Sequence, residues 1–179
     1  PGMGFVFFND KAEAVRQAMP RVSRYWDWTP RIEPEVFYLY FDGTAPTQHL
    51  YGLREALNMI HSEGIDHVWA RHQRLARAIW AACDAWASDG PLRLNVADPT
   101  VRSHAVTTLK LPTPLARDLR NWVEQNLGIT FGISLGMEQP DDPDGDGVFR
   151  LGHMGHVNGQ MILAMLGAIQ TGLTAMTIP

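Results

Sequence analysis

Residues 148–155 read Val-Phe-Arg-Leu-Gly-His-Met-Gly, an apolar run that contains one arginine and two glycines. We expect a strand over 148–154, in which Arg150 points to one face while Phe149 and Leu151 point to the other. A guanidinium in an apolar strand is costly unless an anion meets it, and its paired N–H donors match a carboxylate. Arg150 is therefore a candidate for binding a ligand carboxylate. The alternative is an arginine paired with an aspartate of the preceding acidic loop, and the residues alone favour neither.

Helices and strands alternate around this segment. Apolar spacings of three and four predict helices over Lys11–Met19, from Leu50 to Gly64 and from Ile65 to just before Asp89, and later from Thr113-Pro114 to Gly128 and from Asn158 onward. Thr113 is expected to cap the fourth helix. Strands are expected at Gly4–Phe8, Phe37–Phe41, within Leu92–Leu111 and at Ile129–Leu135. This order predicts an α/β protein with a small α/β sandwich in its second half.

The composition narrows the class of protein. The chain has 179 residues, a formal net charge of -4, one cysteine and no apolar run of about 20 residues. We therefore expect neither a nucleic acid nor a membrane as partner, and a cytoplasmic location. Only two lysines are present, Lys11 and Lys110, and the chain begins at Pro1. These two features suggest a fragment with little scope for lysine chemistry.

Two further motifs each allow two interpretations. Asp142–Gly147 matches the start of a calcium-binding loop. Such a loop needs a glutamate at its twelfth position, and this chain has His153 there, so no metal is expected. The same reasoning excludes zinc at His153 and His156, which lack further ligands at suitable spacing. Thr44 precedes a predicted helix, where its hydroxyl could bind a phosphate or, as the residues alone favour, cap the helix.

The motifs occur in a characteristic order along nearly the whole chain: Thr44-Ala45-Pro46, Tyr51–Leu57, Glu63–Asp66, Trp69–His72 and Phe149–Gly155. Together they resemble the class V aminotransferases that depend on pyridoxal 5'-phosphate (PLP), of the alanine–glyoxylate, serine–glyoxylate and pyridoxamine–pyruvate types. The resemblance implies the C-terminal part of a fold-type I PLP transferase. Residues 1–50 would then end the large PLP-binding domain and connect it onward, and 51–179 would form linking helices and the small C-terminal α/β domain.

The resemblance also assigns site residues. Arg150 matches the arginine that binds the substrate carboxylate, and Thr44 matches a threonine that binds the PLP phosphate of the neighbouring subunit, which implies a homodimer with shared active sites. Phe41 stands where some relatives have a tyrosine, so that second phosphate contact is lost here. His153 is a marker of some groups, without an assigned role. No catalytic residue is expected in this chain, because the Schiff-base lysine would lie upstream of Pro1 in a missing large-domain segment.

The implied reaction moves an amino group from alanine or serine to glyoxylate or pyruvate, and the fragment alone is expected to be inactive. One alternative is a pyridoxamine–pyruvate aminotransferase, for which pyridoxamine is a substrate. Another is a non-catalytic ligand-binding or dimerisation module of the same fold. A cysteine desulfurase is disfavoured, because such enzymes need an exposed, acidic thiol and Cys83 lies on a predicted buried helix face.

Overall fold

The computed structural model describes residues 3–179, so the predicted turn at Pro1-Gly2 lies outside the described residues. The chain divides into two compact units, the first ending at Glu63 and the second comprising Gly64–Pro179. Among the described residues, no helix is long and apolar enough to cross a bilayer. The predicted boundary between a large and a small domain near residue 50 remains a prediction.

The first unit is helical. Helix α1 spans Asp10–Ala18 and helix α2 spans Thr47–Glu63, as the spacing predicts, with two short 3-10 turns between them. The strands predicted at Gly4–Phe8 and Phe37–Phe41 are wrong: the former has no regular structure and the latter is a 3-10 turn. A strand needs a neighbour for its backbone groups, and the described part of this unit contains no strand to supply one.

Polar contacts and ring stacking organise the first unit, since none of its described residues is buried. The guanidinium of Arg16 donates from Nε to Asp27 Oδ1 at 2.8 Å and also contacts Oδ2. The indole of Trp28 stacks on Phe8, with ring centroids 4.9 Å apart, and its Nε1 donates to Glu13. Many aromatic and aliphatic side chains therefore remain at the surface, Phe7 being 92% exposed.

The second unit contains three helices and a small sheet: α3 Ile65–Asp89, β1 Arg93–Leu94, β2 Val106–Lys110, α4 Leu115–Leu127, β3 Val148–Gly152 and α5 Gly159–Ala175. The sheet is antiparallel in the order β1-β2-β3. The strand predicted at Ile129–Leu135 is wrong, because only Gly132 pairs there, in an isolated bridge with Arg150. Thr113 is not the cap of α4, since Pro114 stands at that position.

The core lies between the helices and one face of the sheet. Phe149, Leu151 and Leu109 point inward from the strands and are fully buried, together with Leu119 of α4 and Ile169 of α5. Gly172 permits close packing of α5 on α4, because a Cβ there would lie 2.6 Å from Leu119 Cδ1. The helices are thus held on one side of the sheet, and alternation directs Arg150 to the other side.

Candidate functional site

Arg150 lies in the middle of β3, and local pairing fixes its backbone. Its N–H donates to the carbonyl of Gly132 at 2.9 Å, and Gly132 N–H donates back to the Arg150 carbonyl at 2.8 Å. On the other side Thr108 of β2 is its direct cross-strand neighbour. Because both backbone polar groups of Arg150 point toward Gly132, the pair with Thr108 is of the non-hydrogen-bonded type, in which side chains lie closest.

The Arg150 side chain is half-buried and has no carboxylate partner among the described residues. Its Nε donates to the carbonyl of Ile133 at 2.7 Å, which leaves the two terminal nitrogens without a protein partner within residues 3–179. A guanidinium with two free terminal nitrogens can bind a carboxylate through two parallel hydrogen bonds. Arg150 therefore presents a suitable edge to an anionic ligand.

Two of the four aspartates of the acidic loop, Asp142 and Asp146, are occupied elsewhere, and no ion pair joins Arg150 to any of the four within the described residues. Asp142 accepts hydrogen bonds from the backbone N–H groups of Asp146 and Gly147, at 2.9 and 2.8 Å. Asp146 in turn forms an ion pair with Arg117 of α4 at 2.5 Å. The loop thus closes on its own backbone and on α4, and the alternative interpretation of Arg150 as an aspartate partner is wrong for the described residues.

A buried polar chain lies beneath the end of β3. His153 is fully buried, and its Nε2 is 2.9 Å from the hydroxyl of Thr107, which also accepts a hydrogen bond from Trp80 Nε1 at 3.1 Å. The other ring nitrogen, Nδ1, has no partner in the described part of the chain. Burial lowers the pKa of His153 below its ordinary value, and the nearby His72 acts in the same direction.

We predict that this imidazole makes the second unit sensitive to acid. The pKa of His153 is lower in the folded protein than in the unfolded chain. Below about pH 6.5 the unfolded chain therefore binds more protons than the folded protein, and the free energy of unfolding decreases as the pH is lowered. One such group contributes a slope of up to about 1.4 kcal/mol per pH unit. Urea unfolding between pH 7.5 and 5 should therefore show a shallower dependence for His153→Gln.

The exposed His156 provides the control for that experiment, since it lies in the loop that follows β3. His156→Gln should retain the parent slope. Equal slopes for all three proteins would contradict the assignment to His153.

Thr44 lies in the first unit, three residues before the start of α2. Its side chain is exposed and makes no hydrogen bond within residues 3–179, so it does not cap the helix. A free hydroxyl near a helix entrance can donate to a phosphate oxygen. Phe41, which ends the second 3-10 turn, adds no hydroxyl.

The described residues can supply only part of a PLP site. Lys110 occupies the last position of β2, and Lys11 lies on α1. Both side chains are exposed. The structure gives Thr44 a free hydroxyl suited to the phosphate and gives Arg150 free donors suited to a substrate carboxylate.

Cys83 lies on the buried face of α3, as predicted, and is fully buried. Burial raises the pKa of its thiol to about 12. A thiol of this kind is protonated at neutral pH and has no access to a substrate, which removes the feature that a desulfurase requires.

The structure also shows contacts that the sequence did not reveal. Gly132 and Ile133, which lie 18 and 17 residues before Arg150, contact it. Arg71 on α3 donates to the carbonyls of Gly155 and Val157 at 3.1 and 2.8 Å. These contacts join segments far apart in the chain, and no local spacing signals them.

No protein-family model matches the chain. It is 28% identical over 172 residues to the serine–glyoxylate aminotransferase of Arabidopsis thaliana, covering 94% of this chain and 40% of the relative. It is 33% identical over 135 residues to that of Hyphomicrobium methylovorum, covering 75% and 31% respectively. The solved pyridoxamine–pyruvate aminotransferase from Mesorhizobium loti has the same fold, with a TM-score of 0.72, 24% identity and coverage of 93% of this chain and 41% of that one.

The chain thus spans two-fifths or less of the length of the two serine–glyoxylate aminotransferases. Mixed helices, a small antiparallel sheet and motifs matched along nearly the whole sequence agree with a C-terminal portion of the aminotransferase fold. The chain is thus similar to the C-terminal portion of the class V aminotransferases.

Proposed function

We propose that this chain forms the part of a PLP-dependent aminotransferase that binds the substrate carboxylate. In this role the enzyme moves an amino group from a small amino acid, alanine or serine, to glyoxylate or pyruvate. The observation that carries the proposal is Arg150, a half-buried guanidinium with two free terminal nitrogens and no carboxylate partner in residues 3–179. Two relatives of the chain are named serine–glyoxylate aminotransferases, which supports amino transfer as the reaction.

The chain would act within a longer polypeptide that supplies the Schiff-base lysine and the groups around the cofactor ring. The length of the relatives supports this, since the chain covers 40% or less of each of the two serine–glyoxylate aminotransferases. We also propose that Thr44 donates to the cofactor phosphate in a neighbouring subunit, so that a homodimer shares its active sites. The chain alone would then be inactive.

The division of work follows from the chemistry of the side chains. PLP, when bound, supplies the electron sink for amino transfer. Arg150 binds the carboxylate of the amino donor and then that of the keto acceptor, and so places both at the same position. Thr44 donates one hydrogen bond to phosphate and takes no part in the chemistry.

The test is an amino-transfer assay on the complete enzyme. Purified with PLP, it should convert glyoxylate or pyruvate to the corresponding amino acid with alanine or serine as donor. The 179-residue chain alone should neither do so nor retain the yellow colour of bound PLP after gel filtration. Absence of transfer with any small amino acid, while the cofactor stays bound, would refute the proposed reaction.

A structural similarity supports pyridoxamine–pyruvate amino transfer as a second candidate function. The fold matches the pyridoxamine–pyruvate aminotransferase from Mesorhizobium loti over 93% of this chain. In that case free pyridoxamine would be the amino donor, and Arg150 would bind only the pyruvate carboxylate. Release of free pyridoxal into solution with pyruvate as acceptor would favour this candidate over alanine or serine as donor.

We predict a modest effect of Thr44 on cofactor affinity. Thr44→Ala removes one hydrogen bond to a charged acceptor, which is worth about 1.5–3 kcal/mol. The dissociation constant for PLP, measured by absorbance titration of the complete enzyme, should rise by a factor on the order of 10–100. Thr44→Ser keeps the hydroxyl and serves as the matched control. Equal PLP affinity for Thr44→Ala and the parent would remove Thr44 from the cofactor site.

A further inference from the structure

We propose that Gly132 and Ile133 are the positioning residues for Arg150. The carbonyl of Ile133 holds one end of the guanidinium, and the missing side chain at Gly132 leaves room for that arrangement. This inference rests on the proposed function, in which Arg150 binds the substrate carboxylate. The two residues determine which edge of the Arg150 guanidinium remains free to bind the substrate carboxylate.

The hydrogen bond from Arg150 Nε to the Ile133 carbonyl, at 2.7 Å, determines the available edge. A carboxylate can bind a guanidinium through Nε and one terminal nitrogen, or through the two terminal nitrogens. Because the Ile133 carbonyl occupies Nε, only the second edge remains. The same bond also restricts a long, flexible side chain before the substrate arrives, which reduces the entropy lost on binding.

Gly132 is placed for this task by its own pairing with Arg150. The two residues exchange both backbone hydrogen bonds, at 2.8 and 2.9 Å, so the next carbonyl along the chain comes to lie beside the guanidinium. The isolated bridge to Arg150 is the only ladder contact of this segment within residues 3–179. The segment therefore aligns with β3 at the arginine itself.

A side chain at position 132 would compete with Arg150 for space. A Cβ built on Gly132 lies 3.2 Å from Arg150 Cβ and 3.5 Å from its Nε. The backbone of Gly132 is not in the left-handed region, so alanine is permitted there by its dihedral angles. At 3.2 Å the contact with Arg150 Cβ is tighter than an ordinary van der Waals contact, so we expect alanine to shift the arginine side chain relative to the Ile133 carbonyl.

The kinetic test compares variants of the complete enzyme. Gly132→Ala should raise KM for both the amino donor and the keto acceptor about tenfold, through a tenfold weaker carboxylate contact, with kcat changed much less and PLP affinity unchanged. Gly167→Ala is the matched control, because a Cβ at Gly167 in α5 meets nothing within 4 Å. It should leave both kinetic constants at the parent values.

A second measurement does not depend on the stability of the variant. In NMR spectra of the parent protein, the Nε–H proton of Arg150 should exchange with water at least tenfold more slowly than that of the exposed Arg77. Gly132→Ala should abolish this protection. Equal exchange of the two Nε–H protons in the parent would overturn the inference, whether or not the variant folds.

The outcomes separate this inference from the proposed function. If Arg150→Ala leaves KM unchanged, the carboxylate role itself fails. If Arg150→Ala raises KM while a folded Gly132→Ala does not, Arg150 binds substrate and only the positioning role fails. If both variants raise KM and the Nε–H protection is lost in Gly132→Ala, both statements stand.

Discussion

Replacing Arg150 with alanine in the complete enzyme should lower kcat/KM for amino and keto acids by a factor on the order of 10²–10⁴, while PLP stays bound. The estimate assumes two charge-assisted hydrogen bonds of roughly 1.5–3 kcal/mol each, at about 1.4 kcal/mol per tenfold. Most of the loss should appear in KM, because both substrates use the contact before any bond changes. Steady-state kinetics with both substrates and a PLP titration check it.

The matched control for this variant is Arg77→Ala, which removes an exposed arginine from α3 in the same unit. It should leave kcat/KM within about twofold of the parent, as expected for surface substitutions away from a site. Arg150→Lys should recover only part of the loss, because lysine keeps the charge without the paired geometry. If Arg150→Ala changes kcat/KM by less than threefold, the carboxylate role is refuted.

Phe149→Ala should destabilise the second unit by about 3–5 kcal/mol, the range for removing a large side chain from a packed core. Phe149 is fully buried beside Arg150 on β3, and its ring centroid lies 5.8 Å from that of Phe131. The loss combines the transfer of the aromatic ring with the cavity left behind. Urea unfolding of the parent and the variant gives the difference in the free energy of unfolding.

Lys110→Ala is the control for that measurement, because Lys110 is exposed at the end of β2 in the same sheet. It should change the free energy of unfolding by no more than about 0.5 kcal/mol. A loss below 1 kcal/mol for Phe149→Ala would show that the ring does not support the core. Arg150→Ala should leave the free energy of unfolding nearly unchanged. Comparison of Phe149→Ala with Arg150→Ala therefore distinguishes the face of β3 that supports the core from the face that binds the ligand.

The sequence predicted the helices well because each carries its own signal. Asn158 precedes α5 and accepts a hydrogen bond from Met161 N–H, and Gly128 ends α4 in the left-handed conformation, both as the pattern indicates. Strands depend on partners that local spacing does not reveal. The apolar run Gly4–Phe8 therefore forms no strand in the structure, whereas 148–152 does, because β2 pairs with it along its length.

The candidate site shows the same division. Alternation along β3 predicted that Arg150 lies on the face opposite Phe149 and Leu151, and the structure places Phe149 and Leu151 in the core. The residues that hold its guanidinium could not be found from the sequence, since Gly132 and Ile133 approach β3 only through tertiary pairing. Likewise, the hydrogen bond of His153 to Thr107 joins positions 46 apart, and only the fold brings them together.

A crystal structure of the complete enzyme with bound keto acid would show which group holds the substrate carboxylate. We expect both carboxylate oxygens within hydrogen-bond distance of the terminal nitrogens of Arg150, with Nε still donating to the Ile133 carbonyl. A keto acid held by another cation, with Arg150 left unoccupied or turned onto an aspartate, would contradict it.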